Sequence, residues 1–260
     1  MSGFRITFLG TGTSVGVPMV GCACSVCTSS NPRNQRLRTS IHIEFSDFRF
    51  VIDTGPDFRA QCLREGIIDL EAALFTHAHS DHIMGFDDLR RFCRGDDATI
   101  PIYGTPECLN QIKTAFGFAF DRANWYAVYV KPIANEVNGP FQLGPVEVTP
   151  LEVQHGKVRT IGYRFDGGGK RFAYVPDCKF IHEEVLELMG GLDCLILDAT
   201  SYRELPTHYS VDEALKTVER LNPGEAWLTH MCHDIDHDVD DAKLPGGTNF
   251  AYDGLKLHLV

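Results

Sequence analysis

Short apolar runs recur along the chain, closed by glycine, proline or small polar residues, with amphipathic stretches between them. The short runs predict β-strands and the longer stretches predict helices. The predicted strands are Phe4–Leu9, Ser40–Phe45, Arg49–Asp53, the run around Leu74, Ile100–Tyr103, Val146–Val153, Thr160–Phe165, Arg171–Val175, Leu192–Leu197, Ala226–Thr229 and Leu255–Val260. The predicted helices are Asp57–Glu65, His82–Cys93, Pro106 to about Phe116, Ile181–Met189 and Val211–Leu221. Two mixed sheets with helices outside would bury this pattern, so we expect an α/β (α+β) fold built as a four-layer αββα sandwich.

Composition and charge narrow the class of protein. Of the 260 residues, 43% are hydrophobic and 23% charged, which is ordinary for a globular protein. No apolar run approaches the roughly 18–20 residues that span a bilayer, so we expect no membrane partner. The start of the chain has no signal-peptide pattern, and the nine cysteines are therefore interpreted as reduced thiols or metal ligands of a cytoplasmic protein. The formal charge of −11 argues against a long nucleic-acid partner.

A dense group of potential metal ligands follows the apolar run that ends at Phe75. His77 and His79 are two residues apart, so they project to the same side as the strand ends, and Asp81 and His82 follow as a helix begins. Imidazoles and carboxylates are common ligands of zinc and similar metals. Three histidines and one aspartate are more than a single open catalytic site needs, so two adjacent metals are predicted.

Further ligands are expected at the ends of other predicted strands. His155 follows Val146–Val153, Asp177 follows Arg171–Val175, and His230 follows Ala226–Thr229. Each of these residues alone is compatible with a structural role in a turn. Their shared position after a strand favours a role as metal ligands.

The order and spacing of these residues resemble the metallo-β-lactamase superfamily. The residues that carry the resemblance are Gly10–Gly12, Gly16–Pro18, Gly21–Cys27, Thr76–His82, Ile102–Gly104, His155, Asp177-Cys178 and Thr229–His233. Within the superfamily the chain is most similar to the phosphodiesterase branch that includes ribonuclease Z and the PhnP-type cyclic phosphodiesterases. Parts of the pattern are also shared with the coenzyme-biosynthesis protein PqqB. The resemblance covers nearly the whole chain and implies one metallo-β-lactamase domain over residues 1–260.

The resemblance implies how the ligands divide between two metals. One metal would be held by His77, His79 and His155, and the other by Asp81, His82 and His230, with Asp177 bridging them. Two dications about 3.5–4 Å apart can share a hydroxide and stabilise charge on a phosphoryl group. Asp81 is expected to act both as a ligand and as the group that orients the attacking water. A His/Asp site accepts either Zn²⁺ or Mn²⁺, and both remain open.

A cysteine-rich loop at about residues 16–38 predicts a separate structural zinc. Cys22, Cys24 and Cys27 have a spacing that suits a tetrahedral metal, which needs a fourth ligand. The resemblance supplies His233 for that position, and Cys232 is the competing candidate. With His233 as the fourth ligand, the two sites would share the Thr229–His233 turn, so the structural zinc would brace His230.

One more histidine bears on the reaction. The resemblance places His208, just before the Val211–Leu221 helix, next to the leaving-group oxygen, where an imidazole can donate a proton. Asp198, at the end of the preceding strand, is a candidate to orient a metal-ligating histidine.

The expected function is a dinuclear metal-dependent phosphodiesterase acting on small or cyclic phosphodiesters, with a homodimer as a family-level expectation. Two alternatives remain open: a thioester or lactone hydrolase of the same fold, and a non-catalytic, PqqB-like carrier or accessory protein.

Overall fold

The fold is described by a computed structural model, which covers residues 3–93, 98–126 and 128–260. Within these residues the strands form two mixed sheets of seven strands each. The first sheet has the order β14-β1-β2-β3-β4-β5-β6 and the second the order β13-β12-β11-β10-β9-β8-β7. The chain therefore completes most of one sheet before it begins the other, and only the last strand returns to the first.

The strands are short, as the apolar runs predicted. Those of the first sheet are β1 (Phe4–Gly10), β2 (Ser40–Phe45), β3 (Phe48–Ile52), β4 (Ala72–Leu74), β5 (Ile100–Gly104), β6 (Pro132–Glu136) and β14 (Lys256–Leu259). Those of the second sheet are β7 (Phe141–Leu143), β8 (Val146–His155), β9 (Val158–Gly167), β10 (Lys170–Val175), β11 (Cys194–Asp198), β12 (Glu225–Thr229) and β13 (Thr248–Phe250).

Helices cover the outer faces of both sheets. The α-helices are α1 (Phe58–Glu65), α2 (Ser80–Ile83), α3 (Pro106–Ala115), α4 (Gly117–Phe120), α5 (Glu183–Leu188), α6 (Val211–Leu221) and α7 (His237–Asp241), and the 3₁₀-helices are Pro32–Asn34, Phe86–Phe92 and Arg122–Asn124. No helix among the described residues is long and apolar enough to cross a membrane.

Three apolar clusters separate the four layers. The central cluster lies between the sheets and combines residues of both, among them Phe4, Phe50, Phe165 and Phe172. A second cluster joins the outer face of the second sheet to α5 and α6, and a third joins the first sheet to α1 and α3. The predicted four-layer αββα sandwich is confirmed.

The helix predicted over His82–Cys93 is wrong in its form. The structure has the single turn α2, and a 3₁₀-helix from Phe86 to Phe92 follows it. The break is at Gly85, whose N–H donates to the carbonyl of Thr54 instead of to the helix. A Cβ at this position would lie 2.1 Å from the carbonyl oxygen of Gly55, so only glycine permits the close approach of the two segments.

The sequence analysis also missed short elements at sheet edges. Two of them are edge strands: β6 pairs only with β5, and β13 pairs only with β12, among the described strands. β7, α4 and α7 were missed as well, and each spans five residues or fewer. Such segments are too short to display a periodic pattern, and whether they form depends on contacts with the neighbouring strands and helices.

Candidate metal centre

The predicted metal ligands lie together where strands of one direction end. β3, β4 and β5 are parallel, as are β10, β11 and β12, and β8 shares the direction of β10 because both are antiparallel to β9. The carboxyl ends of parallel strands form the edge at which α/β proteins bind ligands. The structure brings the predicted ligands into overlapping groups at this edge: His77, His79, Asp81, His82, His155, Asp177 and His230.

The first group consists of three imidazoles. Nδ1 of His79 lies 2.8 Å from Nε2 of His77 and 3.2 Å from Nε2 of His155. Zinc–nitrogen bonds of about 2.0–2.1 Å in a tetrahedral site separate ligand nitrogens by about 3.3 Å. The three nitrogens therefore converge at a spacing close to the one that a single metal requires.

The second group combines carboxylates with imidazoles. Asp81 Oδ2 lies 3.3 Å from His82 Nε2 and 3.9 Å from His230 Nε2. Asp177 contacts the same two histidines at 3.2 and 3.3 Å and also lies 3.9 Å from Nε2 of His155 in the first group. Asp177 thus contacts members of both groups, as a bridging ligand would.

Three buried atoms of these side chains have no hydrogen-bond partner among the described residues: His82 Nε2, His230 Nε2 and Asp177 Oδ2. A buried polar atom without a partner is destabilising by about 1–3 kcal/mol, and such atoms are rare in folded proteins. Here they face one another, so a cation between them would satisfy all three. The donor set therefore fits a divalent metal.

A carboxylate that the sequence analysis did not single out orients two of these ligands. Asp53 is fully buried and directly follows β3. Its carboxylate lies 2.7 Å from Nδ1 of His82 and accepts a hydrogen bond from the Thr76 hydroxyl at 2.8 Å. Because that hydroxyl gives its only hydrogen to Asp53, Nδ1 of His77, 3.0 Å away, must be the donor to Thr76 Oγ. His77 and His82 therefore both turn Nε2 toward the metal position. The available signal was that Asp53, like the predicted ligands, ends a buried strand.

A second buried carboxylate has a similar arrangement. Asp198, at the end of β11, accepts a hydrogen bond from the Thr200 hydroxyl at 2.8 Å and lies 3.0 Å from Nδ1 of His208. Nδ1 of His230 is 3.1 Å from the same Thr200 hydroxyl, so His230 must be the donor in that contact. Asp198 thus reaches His230, one of the predicted metal ligands, but only through Thr200. Its direct partner is His208.

Backbone strain coincides with these positions. Asp53 has φ +62° and His230 has φ +59°, in the left-handed region that side chains other than glycine rarely adopt. Such strain persists where the surrounding structure holds it, and it is concentrated at functional sites. Both residues follow parallel strands and contribute to the polar cluster, which supports a functional reason for the strained backbone.

The electrostatics of the second group favour positive charge, whereas burial lowers the pKa of each histidine in the first group. Burial lowers the pKa of His82, but the carboxylates of Asp177 and Asp53 outweigh burial and raise that pKa well above its ordinary value. Burial likewise opposes protonation of His230, yet Asp177 and Asp81 raise its pKa to about 9. Carboxylates that retain protons on buried imidazoles create a strongly negative local potential, which attracts divalent cations.

The cysteine loop forms a separate cluster beside the second group. His233 Nδ1 lies 3.2 Å from Cys22 Sγ and 3.4 Å from Cys24 Sγ, and Cys27 completes a set of four ligand atoms that are mutually close. Cys232 lies outside this set, because its Sγ accepts a hydrogen bond from the backbone of Asp234. Of the two candidates for the fourth position, the geometry therefore brings His233 to the cysteines.

His208 lies in a cleft above the two groups. The cleft has a volume of about 220 Å³, and its lining includes His79, Asp81, His155, Asp177, His208 and His230. The ring of His208 stacks on that of His230 with centroids 4.7 Å apart, and its Nδ1 lies 3.7 Å from Asp177. With Nδ1 bonded to Asp198, Nε2 is the nitrogen left to meet a molecule in the cleft.

Comparison with known proteins identifies the family. Residues 48–231, more than half of the chain, match the family model described as β-lactamase superfamily domain. The chain belongs to the β-lactamase superfamily. It also superposes with a TM-score of 0.91 on a crystal structure described as a new diphosphatase from the PhnP family. The two chains are 36% identical, and the match covers 100% of this chain and 98% of that one. The resemblance to the PhnP-like branch is confirmed, and the fold is that of a metal-dependent hydrolase.

Curated relatives carry different names. The octanoyltransferase of Porphyromonas gingivalis is 35% identical over 257 residues, which make up 97% of this chain and 51% of that protein. The chain therefore spans about half the length of this relative. Coenzyme PQQ synthesis protein B of Methylorubrum populi is 26% identical over 75% of this chain and 73% of that protein. These names describe the relatives, and together they leave the specific activity of this chain open.

Proposed function

We propose that this protein is a dinuclear metal-dependent phosphodiesterase acting on small or cyclic phosphodiesters. The observation that carries the proposal is the position of His208, which lies in a cleft directly above the two ligand groups and is oriented by a buried carboxylate. Hydrolysis of a phosphodiester with an alkoxide leaving group needs a proton donor at this place. A thioester, whose thiolate leaves readily, does not.

The metals are assigned to the two groups. His77, His79 and His155 would hold one Zn²⁺ or Mn²⁺, and Asp81, His82 and His230 the other, with Asp177 between them. Two bound dications would supply charge stabilisation at the phosphoryl group and acidify the attacking water. Cys22, Cys24, Cys27 and His233 would hold a structural Zn²⁺.

The chain's own side chains contribute proton transfer and orientation. Burial raises the pKa of Asp81, but the neighbouring imidazoles of His230 and His82 outweigh burial and hold its pKa well below the ordinary range. Asp81 is therefore an anion at neutral pH and can accept a hydrogen bond from water in the cleft. His208 donates Nδ1–H to Asp198 and can present a proton on Nε2 to the departing oxygen.

The cleft and the charge limit the substrate. A volume of about 220 Å³ is enough for a small molecule or for one phosphodiester group with its immediate neighbours. The formal charge of −11 disfavours a long nucleic acid, which binds to basic surfaces. The substrate class that fits both limits is a small or cyclic phosphodiester. A diphosphate bond also belongs in the test, because a structurally similar protein is described as a diphosphatase.

The test is a hydrolysis panel with metal-reconstituted protein. It includes bis(p-nitrophenyl) phosphate, a 2′,3′-cyclic nucleotide, ribosyl cyclic phosphate, a nucleoside diphosphate ester, a lactone and a thioester. The proposal expects turnover of the cyclic or other diesters, with up to three metals per chain by elemental analysis. Turnover of the thioester alone, or no more than one metal per chain, would overturn it.

A second candidate is a thioester hydrolase of the same fold. The relative named octanoyltransferase favours it, since acyl-transfer chemistry acts on activated acyl groups. That relative has about as many residues outside the matched region as within it, and its activity can belong to either part. The two candidates differ at His208, because His208→Ala would matter little to thioester hydrolysis. A non-catalytic carrier, the third reading, predicts that no compound in the panel is hydrolysed.

A further inference from the structure

The two buried carboxylates have nearly the same set of partners. Asp53 binds one histidine directly and reaches a second, His77, through the hydroxyl of Thr76. Asp198 likewise binds one histidine directly and reaches a second, His230, through the hydroxyl of Thr200. We call these the Asp53 hub and the Asp198 hub.

The hubs differ in what their histidines do. Both histidines of the Asp53 hub, His77 and His82, belong to the ligand groups and are fully buried. In the Asp198 hub His230 belongs to the group with Asp81 and His82. His208 lies beside His155 and Asp177, lines the cleft, and has a side chain that is 17% exposed. One carboxylate thus connects a metal ligand to the histidine that faces the substrate.

We propose that Thr200 is a positioning residue that couples the second metal position to His208 through Asp198. This inference rests on the proposed function and goes beyond it. The Thr200 hydroxyl is the acceptor for His230 Nδ1–H and the donor to Asp198 Oδ1, while Asp198 Oδ2 remains aligned with His208. The hydroxyl therefore keeps His230 in the tautomer that binds metal and holds the carboxylate in the orientation that serves His208.

Removal of the Thr200 hydroxyl would make His230 and His208 compete for the carboxylate of Asp198. Without Thr200 Oγ, the carboxylate oxygen within reach of His230 Nδ1 is Asp198 Oδ1, which lies 4.0 Å away. The carboxylate either turns toward His230, away from His208 and from the Cys178 backbone N–H that also donates to Oδ2, or it stays and leaves His230 without an acceptor. Because the rings of His208 and His230 are stacked, a shift of one is transmitted to the other.

The test compares Thr200→Val with Thr76→Val, the corresponding change in the Asp53 hub. Thr11→Val is the matched control, because Thr11 is buried and donates to the buried Asp253 at 2.8 Å, with no metal-group histidine in that pair. Thr200→Ser restores the hydroxyl. Each variant is measured for Zn²⁺ affinity by chelator competition, for the tautomers of His208 and His230 by ¹H–¹⁵N NMR of the zinc-loaded protein, and for kcat on two substrates.

Thr200→Val should weaken one metal by about 10–100-fold, the usual effect of losing a hydrogen bond to a metal-ligating histidine. It should also lose about 10–100-fold more rate on a 2′,3′-cyclic nucleotide than on bis(p-nitrophenyl) phosphate, because the proton donor is misplaced. Thr76→Val should weaken metal binding without this difference between substrates. Thr200→Ser should restore both properties, and Thr11→Val should change neither.

Two results would overturn the coupling. One is a Thr200→Val protein with weakened metal binding but an unchanged His208 resonance and equal rate losses on both substrates. The other is a Thr200→Val protein that loses no more metal affinity than Thr11→Val. Metal affinity and the histidine resonances need no substrate, so failure of the inference is distinguishable from failure of the phosphodiesterase proposal, in which the parent protein hydrolyses no diester.

Discussion

The Asp53 and Asp198 hubs are two versions of one arrangement, placed at the ends of β3 in the first sheet and β11 in the second. In each, a buried carboxylate binds one histidine directly and another through a threonine hydroxyl. The Asp53 hub turns both histidines toward the ligand groups, whereas the Asp198 hub turns one toward the ligands and the other toward the cleft. In the proposed function, the same hydrogen-bond chemistry would serve metal binding alone in the first sheet and metal binding together with substrate contact in the second.

The two hubs also differ in their exposure to solvent, and we expect this to decide whether a mutation affects folding or the reaction. Each carboxylate also accepts a backbone N–H, from Thr76 at Asp53 and from Cys178 at Asp198, but the Asp53 hub is closed to solvent because His77 and His82 are fully buried. The Asp198 hub opens to solvent through His208. We therefore expect damage to the first hub to affect both metals and folding, and damage to the second to affect the reaction most.

The largest effect is expected where the two groups meet. Asp177 contacts ligands of both, so Asp177→Ala should abolish hydrolysis of every substrate while the protein remains folded. Kinetic assays and circular dichroism at equal protein concentration would measure this. Retention of measurable activity with full metal content would show that the two groups do not depend on a shared carboxylate.

The next prediction contrasts the hubs directly. Asp53→Ala leaves the His82 imidazole and Thr76 without their buried partner, so the free energy of unfolding should fall by about 3–5 kcal/mol and both metals should be lost. Asp198→Ala should retain the metal at His77, His79 and His155. Denaturant titration and elemental analysis of both variants would test the contrast, and identical metal loss from the two proteins would contradict it.

The substitution His208→Ala tests the Asp198 hub alone. If His208 protonates the leaving group, its removal should slow hydrolysis of a 2′,3′-cyclic nucleotide by about 10²–10⁴-fold, the usual range for general acid catalysis. The loss on bis(p-nitrophenyl) phosphate should be much smaller, because p-nitrophenolate leaves without a proton. Metal content must match that of the parent protein. Equal losses on the two substrates would indicate substrate positioning instead, and no loss would remove His208 from the mechanism.

The smallest effect on chemistry is expected at the cysteine loop. Cys24→Ser should lower the zinc content and the Tm, by about 2–4 °C for each kcal/mol of lost stability, since structural zinc contributes directly to folding. His233 and His230 lie on the same short turn, so metal binding in the second group should weaken more than in the first. Calorimetry with elemental analysis would measure both. Unchanged Tm and zinc content would mean that the loop holds no metal.

Much of the architecture could be predicted from the sequence because it depends on local patterns. Val211–Leu221 is helical over the predicted bounds, with Ser210 capping it and Glu213 returning the hydrogen bond. Gly66 ends α1 in the left-handed conformation that favours glycine. The helix expected over His82–Cys93 failed for a reason the local pattern does not contain, namely the approach of Gly85 to Gly55 from a distant part of the chain.

The sequence by itself determined which chemistry is available and where along the chain it lies. Residues after buried strands were recognisable as a class, since side chains there collect at one edge of a sheet, and His77, His155, Asp177 and His230 were all predicted on that basis. Asp53 ended a strand in the same way but was overlooked, because a lone carboxylate next to the hairpin carries no spacing that marks it.

Only the tertiary structure decided how these groups are paired. The choice of His233 over Cys232 depends on how a loop packs against a turn that lies about two hundred residues further along the chain. The choice of His208 rather than His230 as the direct histidine partner of Asp198 depends on the path of the intervening loop, which a local pattern does not reveal. The role of Thr200 could not be predicted at all, because a threonine hydroxyl has no preferred partner until folding places a donor and an acceptor on either side of it. Hydrogen bonds act over about 3 Å, so their partners are known only when the chain is folded.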